Sequence, residues 1–154
     1  MEYYNEINRG YNRLHGEEQA EKAELIKKNC ELHGLLLDIG AGTGAITGLF
    51  QERAECIALD PAIEMVRQFP GLKVVARAEE LPFRDGSFDS VISLTALHHA
   101  VLGKAGKEIE RVSKENASIV ISFFKRAKNF EQARALFKGF REIDSEKDLV
   151  FARP

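Results

Sequence analysis

Three glycines at alternate positions, Gly40, Gly42 and Gly44, follow an acid in the segment Asp38-Ile39-Gly40-Ala41-Gly42-Thr43-Gly44, and a second acid, Asp60, lies 20 residues beyond Gly40. Glycines between a strand and a helix leave bare backbone that a ligand can approach closely. With Ala45 in the last place, the spacing satisfies Gly-x-Gly-x-x-Gly/Ala, and Asp60 stands where a ribose-binding acid falls in a dinucleotide fold. A nucleotide-like ligand is the chemistry this spacing suits. No Gly-Lys-Ser/Thr follows the glycines, which sets aside a triphosphate-binding loop. Asp38, two residues before Gly40, brings a carboxylate toward a pyrophosphate that prefers amides and no anions, whereas it suits an ammonium or sulfonium group. On the glycines alone a dinucleotide, a sulfonium nucleotide and a ligand-free turn all stay open.

Other side chains able to act are His98 and His99, whose ordinary pKa suits a general base. Adjacent histidines lack the spacing of helical metal ligands, and Cys30 and Cys56 form no ligand motif, so no metal site is expected. Lys125, Arg126 and Lys128 form a basic cluster that can hold an anionic acceptor or serve only as a solvated loop.

The elements that position these residues follow from periodicity. Glu17 to His33 carries Ala20, Ala23, Ile26 and Cys30 at helical spacing and ends at Gly34. Strands are predicted at 35–39, 56–60, 73–77, 88–94 and 117–124, each an apolar run bounded by turn residues. Between them, helices are predicted over Thr43–Arg53, from Pro61 to Phe69 with Ile63, Val66 and Phe69 inward, and over Gly106–Ser113. A helix over Phe130–Lys138, with Leu136 inward, precedes a hairpin of Phe140–Ile143 and Leu149–Ala152. Alternating strands and helices imply an α/β fold: a Rossmann-like, doubly wound, seven-stranded, mostly parallel sheet with helices on both faces and a C-terminal antiparallel hairpin. Ligands bind such sheets at the carboxyl ends of the strands, where strand order reverses.

The 154 residues, 44% hydrophobic and 30% charged, suit one domain over 1–154, with 1–34 a helical segment covering the site. A net charge of -2 argues against a surface built to hold nucleic acid by charge alone. The charge is uneven: residues 1–102 hold 10 Lys/Arg against 16 Asp/Glu, and residues 103–141 hold 10 against 4, so a local basic rim toward nucleic acid remains open. The N-terminus lacks signal-peptide character, no apolar run is long enough to span a bilayer, and the two cysteines suit a reducing compartment; a cytoplasmic location is expected.

Several segments together resemble the class I S-adenosylmethionine-dependent methyltransferases, in particular the UbiE-like or type 11 group. Leu36 to Gly44 is similar to that family's first motif, Ala58 to Val66 to its second, and Leu81 to Ser93 to its most recognisable segment. Ala96-Leu97-His98-His99 is similar to the stretch that commonly comes next in the family. The resemblance implies that Asp38, Gly40, Ala41, Gly42 and Gly44 face the methionine part of S-adenosylmethionine. It further implies that Asp60, beside Pro61, accepts from the ribose hydroxyls, that Met65 lies by the adenine, that Ala78 and Glu79 line the adenine edge, and that Leu94 and Thr95 lie under the reactive methyl. Arg77 departs from an aspartate common in relatives, and Lys114-Glu115-Asn116-Ala117 stands where they have Lys-Pro-Gly-Gly. Tyr11 resembles an aromatic that relatives place over the cofactor, where it can attract a sulfonium; it can equally anchor the first helix. The implied activity is methyl transfer to an acceptor, a small molecule in the first instance, with S-adenosylhomocysteine as product. An RNA or protein acceptor with a partner subunit is the alternative, and an NAD-binding oxidoreductase domain or a non-catalytic regulator are alternatives of another class.

Overall fold

Apolar runs and glycine turns produce the alternation that the sequence predicts. The computed structural model describes the backbone of residues 2–154 and the side chains of residues 16–154. Helix α1 (Glu2–Asn29) leads into β1 (Leu35–Ile39), α2 (Ala45–Leu49), β2 (Glu55–Asp60), α3 (Ile63–Val66), β3 (Leu72–Val75) and β4 (Phe88–Leu94). A single 3-10 turn (Leu97–His99) then precedes α4 (Leu102–Val112), β5 (Ser113–Phe124), α5 (Phe130–Leu136), β6 (Arg141–Asp144) and β7 (Asp148–Arg153).

The seven strands form one sheet in the order β3-β2-β1-β4-β5-β7-β6. Strands β1 to β5 pair in parallel, and β7 inserts antiparallel between β5 and β6. Strand order therefore reverses between β1 and β4, the position at which such sheets bind ligands.

Because side chains alternate across a strand, each strand feeds two cores. Leu37, Ile39, Val91, Ile119, Ile121 and Phe151 join Ile109 and Val112 of α4 and Ala133 of α5 on one face. Leu36, Ile92, Val120 and Val150 join Ala23 and Ile26 of α1 and Phe50 on the other. This same alternation puts Asp38, Ser122 and Asp148 on the α1 and α2 face, one residue out of phase with the α4 core.

The helices depart from their predicted limits for local reasons. Gly44 has φ 80°, incompatible with a right-handed helix, so α2 starts after it and not at Thr43. Helix α3 closes through i to i−3 bonds from Gln68 and Phe69, leaving Val66 and Phe69 buried but Ile63 exposed at 59%. Helix α1 begins before Glu17 and stops at Asn29, and Ala20 is exposed while Ala23 and Ile26 are buried. Helix α4 starts four residues earlier than Gly106, and Leu136 is partly exposed, resting on Gly106. Strand β3 ends at Val75, two residues short of Arg77. Strand β5 starts at Ser113, and its register with β4 shifts between Phe88 and Ser90, which absorbs residues 114–117 as a bulge. Among the described residues no helix is long and apolar enough to cross a membrane.

Candidate active site

The end of β1 and the turn after it are strapped to β2. Gly40 and Ala41 both donate their N–H to the Leu59 carbonyl, at 2.8 and 3.0 Å, and Gly42 donates to Asp60 Oδ2 at 2.9 Å. The other carboxylate oxygen of Asp60 accepts from Ala62 N–H at 2.9 Å. Both oxygens are thus fixed by backbone, and each keeps a lone pair for a ligand hydroxyl. Gly40 has φ 75°, and a Cβ there would stand 2.2 Å from the Ala96 Cβ, so neither conformation nor space admits a side chain.

A cleft of about 180 Å³ opens above this turn, lined by Gly40, Leu59, Pro61, residues 77–79, Leu97 and His99 among others. It sits over the carboxyl ends of β1, β2 and β4. Pro61, Ala78 and Glu79 line it. Arg77 lines it too, and its guanidinium pairs with Glu79 Oε2 at 3.2 Å. Met65 lies over Gly42 and is 43% exposed.

Asp38 does not face the cleft. It is 3% exposed and accepts a hydrogen bond from the Thr47 hydroxyl at 2.6 Å, on the α2 side of the sheet. Burial pushes its pKa up to about 7, opposed by the Thr47 bond and reinforced by the charge of Asp60. The carboxylate therefore supports the turn from behind, and it offers no contact that separates a pyrophosphate from a sulfonium.

The segment that leads from the cleft to β4 is held by Arg111 of α4, which donates to the Phe83 and Leu81 carbonyls at 2.7 and 2.9 Å and pairs with Glu108 and Asp85. Glu108, bonded by Arg111 and by Leu81 N–H, is held down to about 2. At the start of β4, Asp89 accepts from Leu35 N–H at 2.8 Å and from Lys114 at 2.9 Å, tying β4 to the start of β1.

Leu94 ends β4 half-buried, and Thr95 follows in the left-handed region with φ 54°. Thr95 Oγ1 receives a 2.6 Å hydrogen bond from Lys22 of α1. His98 and His99 stack with ring centroids 3.9 Å apart; His99 lines the cleft, while His98 packs edge-on to Phe123. Burial and the neighbouring His99 lower the His98 pKa, against the charge of Asp148. His98 Nδ1 is buried and has no hydrogen-bond partner among the described residues.

The basic rim is less uniform than its sequence. Lys125 is tied to Asp144 at 2.7 Å and to the Ser145 carbonyl at 2.6 Å, while Arg126 and Lys128 are exposed. Tyr11 lies outside the residues whose side chains are described. Motif reading assigned no role to Thr47, Lys22, Ser122 or Asp148. Of these, only Ser122, which interrupts the apolar run of β5, carried a local signal.

A family model described as a methyltransferase domain matches residues 37–121, more than half of the chain. The chain is 32% identical to an uncharacterized protein of Methanocaldococcus jannaschii, MJ1252, across 99% of this chain and 68% of that one. It is 36% identical to the uncharacterized methyltransferase YcgJ of Bacillus subtilis, over 60% of this chain but only 41% of the relative's length. The crystal structure of YcgJ superposes with a TM-score of 0.70 at 23% identity, covering 81% of this chain and 71% of that one, a likeness of fold. The chain belongs to the class I S-adenosylmethionine-dependent methyltransferases.

Proposed function

We propose that this chain binds S-adenosylmethionine in the cleft above the glycine turn and transfers its methyl group to a small-molecule acceptor. The observation that carries the reading is Asp60, whose carboxylate is fixed by the Gly42 and Ala62 amides at the end of β2, between the cleft-lining Leu59 and Pro61 and across from Gly40, which admits no side chain. A fixed, half-buried carboxylate fits the paired hydroxyls of a ribose, and the bare turn fits the amino-acid end of the cofactor.

When bound, the cofactor supplies a methyl group already activated on sulfur, so the protein's task is alignment. Asp60 and Pro61 hold the ribose side, with Met65 above Gly42. Ala78 and Glu79 border the adenine, Glu79 being oriented by Arg77. Gly40, Ala41, Gly42 and Gly44 shape the methionine side, stiffened from behind by Asp38 and Thr47. Leu94 and Thr95, at and just past the end of β4, would lie on the side of the transferred methyl. If the acceptor must lose a proton, the candidate bases are His99, which lines the cleft, and His98, packed behind it against Phe123. Arg126 and Lys128 are candidates to hold an anionic part of the acceptor, and Lys125 is committed to Asp144. A cytoplasmic location belongs to the same proposal.

Incubation with S-adenosylmethionine labelled in its methyl group and a fractionated cell extract tests the reading. Label is expected in the small-molecule fraction, and less of it with Asp60→Ala when S-adenosylmethionine is limiting. Label confined to RNA or protein overturns the acceptor class. Retained cofactor binding with no label in any fraction favours a regulator.

A further inference from the structure

Thr95 is the sole non-glycine residue with positive φ among the described residues, and it is β-branched, a conformation that costs about 1–3 kcal/mol. Its backbone N–H is held by the Ser122 carbonyl at 3.0 Å. Strict alternation after Leu94 would send its side chain toward the α4 face. The positive φ returns it to the face shared by Ser122, Asp148 and α1.

There its hydroxyl meets three partners among the described residues. Lys22 Nζ lies 2.6 Å from Thr95 Oγ1 and 2.6 Å from Asp148 Oδ2. Thr95 donates its one hydroxyl hydrogen to Asp148 at 3.4 Å, which leaves Ser122 as the donor across the 3.2 Å contact between the two hydroxyls. The Lys22 and Asp148 side chains are only 13% and 7% exposed. A buried ion pair is seldom more stabilising than apolar side chains of the same volume, so stability does not account for one here. Its position does: it touches Thr95, the residue that follows β4, where the proposed function puts the transferred methyl.

We propose that Lys22 and Asp148 are a charge-balanced positioning pair that holds Thr95 and sets the site's preference between the cationic donor, S-adenosylmethionine, and the neutral product, S-adenosylhomocysteine. The proposal rests on the cofactor reading of the cleft. Donor and product differ by one methyl group and one positive charge. Asp148 alone favours the sulfonium, and Lys22 offsets it. Removing either charge leaves the other uncompensated in a poorly solvated place, so the two substitutions shift the preference in opposite directions. A merely structural pair would shift it in neither, or would weaken both ligands alike. His98 and Lys147, which also feel the Asp148 charge, are unchanged in both variants.

Titration calorimetry with S-adenosylmethionine, S-adenosylhomocysteine and adenosine tests this on the whole chain. Lys22→Met is expected to raise the affinity ratio of donor to product about threefold to tenfold, and Asp148→Asn to lower it by a similar factor, as one uncompensated charge at short range implies. Lys22→Arg should stay within about twofold of the unmodified chain, and adenosine affinity should hold in all. Lys22→Gln, which keeps a donor toward Thr95, replaces the Met variant if circular dichroism shows that variant unfolded. Ratios that move in the same direction, or do not move while the donor still binds, overturn the pair and leave the cofactor reading intact. Failure of the unmodified chain to bind either ligand overturns both.

Discussion

Asp38→Asn isolates a carboxyl whose protonation is coupled to folding. Burial raises Asp38 from the usual range near 3.9 to about 7. The folded chain therefore binds this proton more tightly than the unfolded chain does. The stabilising contribution is complete below about pH 4 and is lost as pH rises through about 7, because the unfolded chain has released its proton and the folded one has not. Three pKa units correspond to about 4 kcal/mol. Asparagine stays neutral throughout and still accepts from Thr47, while its amide hydrogens need partners, a pH-independent cost of about 1–2 kcal/mol. Urea unfolding of both proteins at pH 4.5, 6, 7 and 8.5 gives the difference in stability, from which other titrating groups cancel. The unmodified chain should be the more stable at pH 4.5 and the less stable at pH 8.5, the difference moving by about 3–4 kcal/mol across the range. A difference constant to within about 1 kcal/mol, or one that moves the other way, refutes the assignment of a buried, proton-binding Asp38.

Gly40→Ala should destabilise the fold by at least about 2 kcal/mol, read as a lower midpoint of thermal unfolding, because it combines a left-handed alanine with a clash against Ala96. Adding Ala96→Gly should recover the clash and not the dihedral cost. Arg111→Lys removes the forked contacts to the Leu81 and Phe83 carbonyls, so hydrogen exchange should accelerate over residues 81–87 while protection in β1 and β5 persists.

Strands proved the most legible part of the sequence because their ends are written in turn residues. The predicted limits of β1 and β4, at 35–39 and 88–94, coincide with the observed ones. The terminal hairpin also forms, although its partner strand β5 could be assigned only from the three-dimensional pairing. Helix limits were less legible. A glycine such as Gly44 reads as permissive in one dimension, whereas its φ of 80° forbids the helix from starting earlier.

Within the candidate site, the cleft brings together Gly40, Pro61, Ala78, Glu79 and His99, residues that local motifs mark. Asp38 was misread by treating it as a free charge. In β1 the alternation Leu36, Asp38 against Leu37, Ile39 already assigns it to a covered face, and a strand buried on both faces leaves a carboxylate no route to solvent. The meeting of Lys22, Thr95 and Asp148 has no local signature, since it joins α1, the end of β4 and the start of β7 through tertiary packing alone.

Calorimetric titration of the chain and of Asp60→Ala with S-adenosylmethionine and NAD tests the central claim most directly. One S-adenosylmethionine is expected to bind per chain, with no NAD, and loss of the charge-assisted bonds of Asp60 should reduce the affinity by about 1–3 kcal/mol. Binding of NAD in place of S-adenosylmethionine, or an affinity for S-adenosylmethionine that Asp60→Ala leaves unchanged, would contradict it.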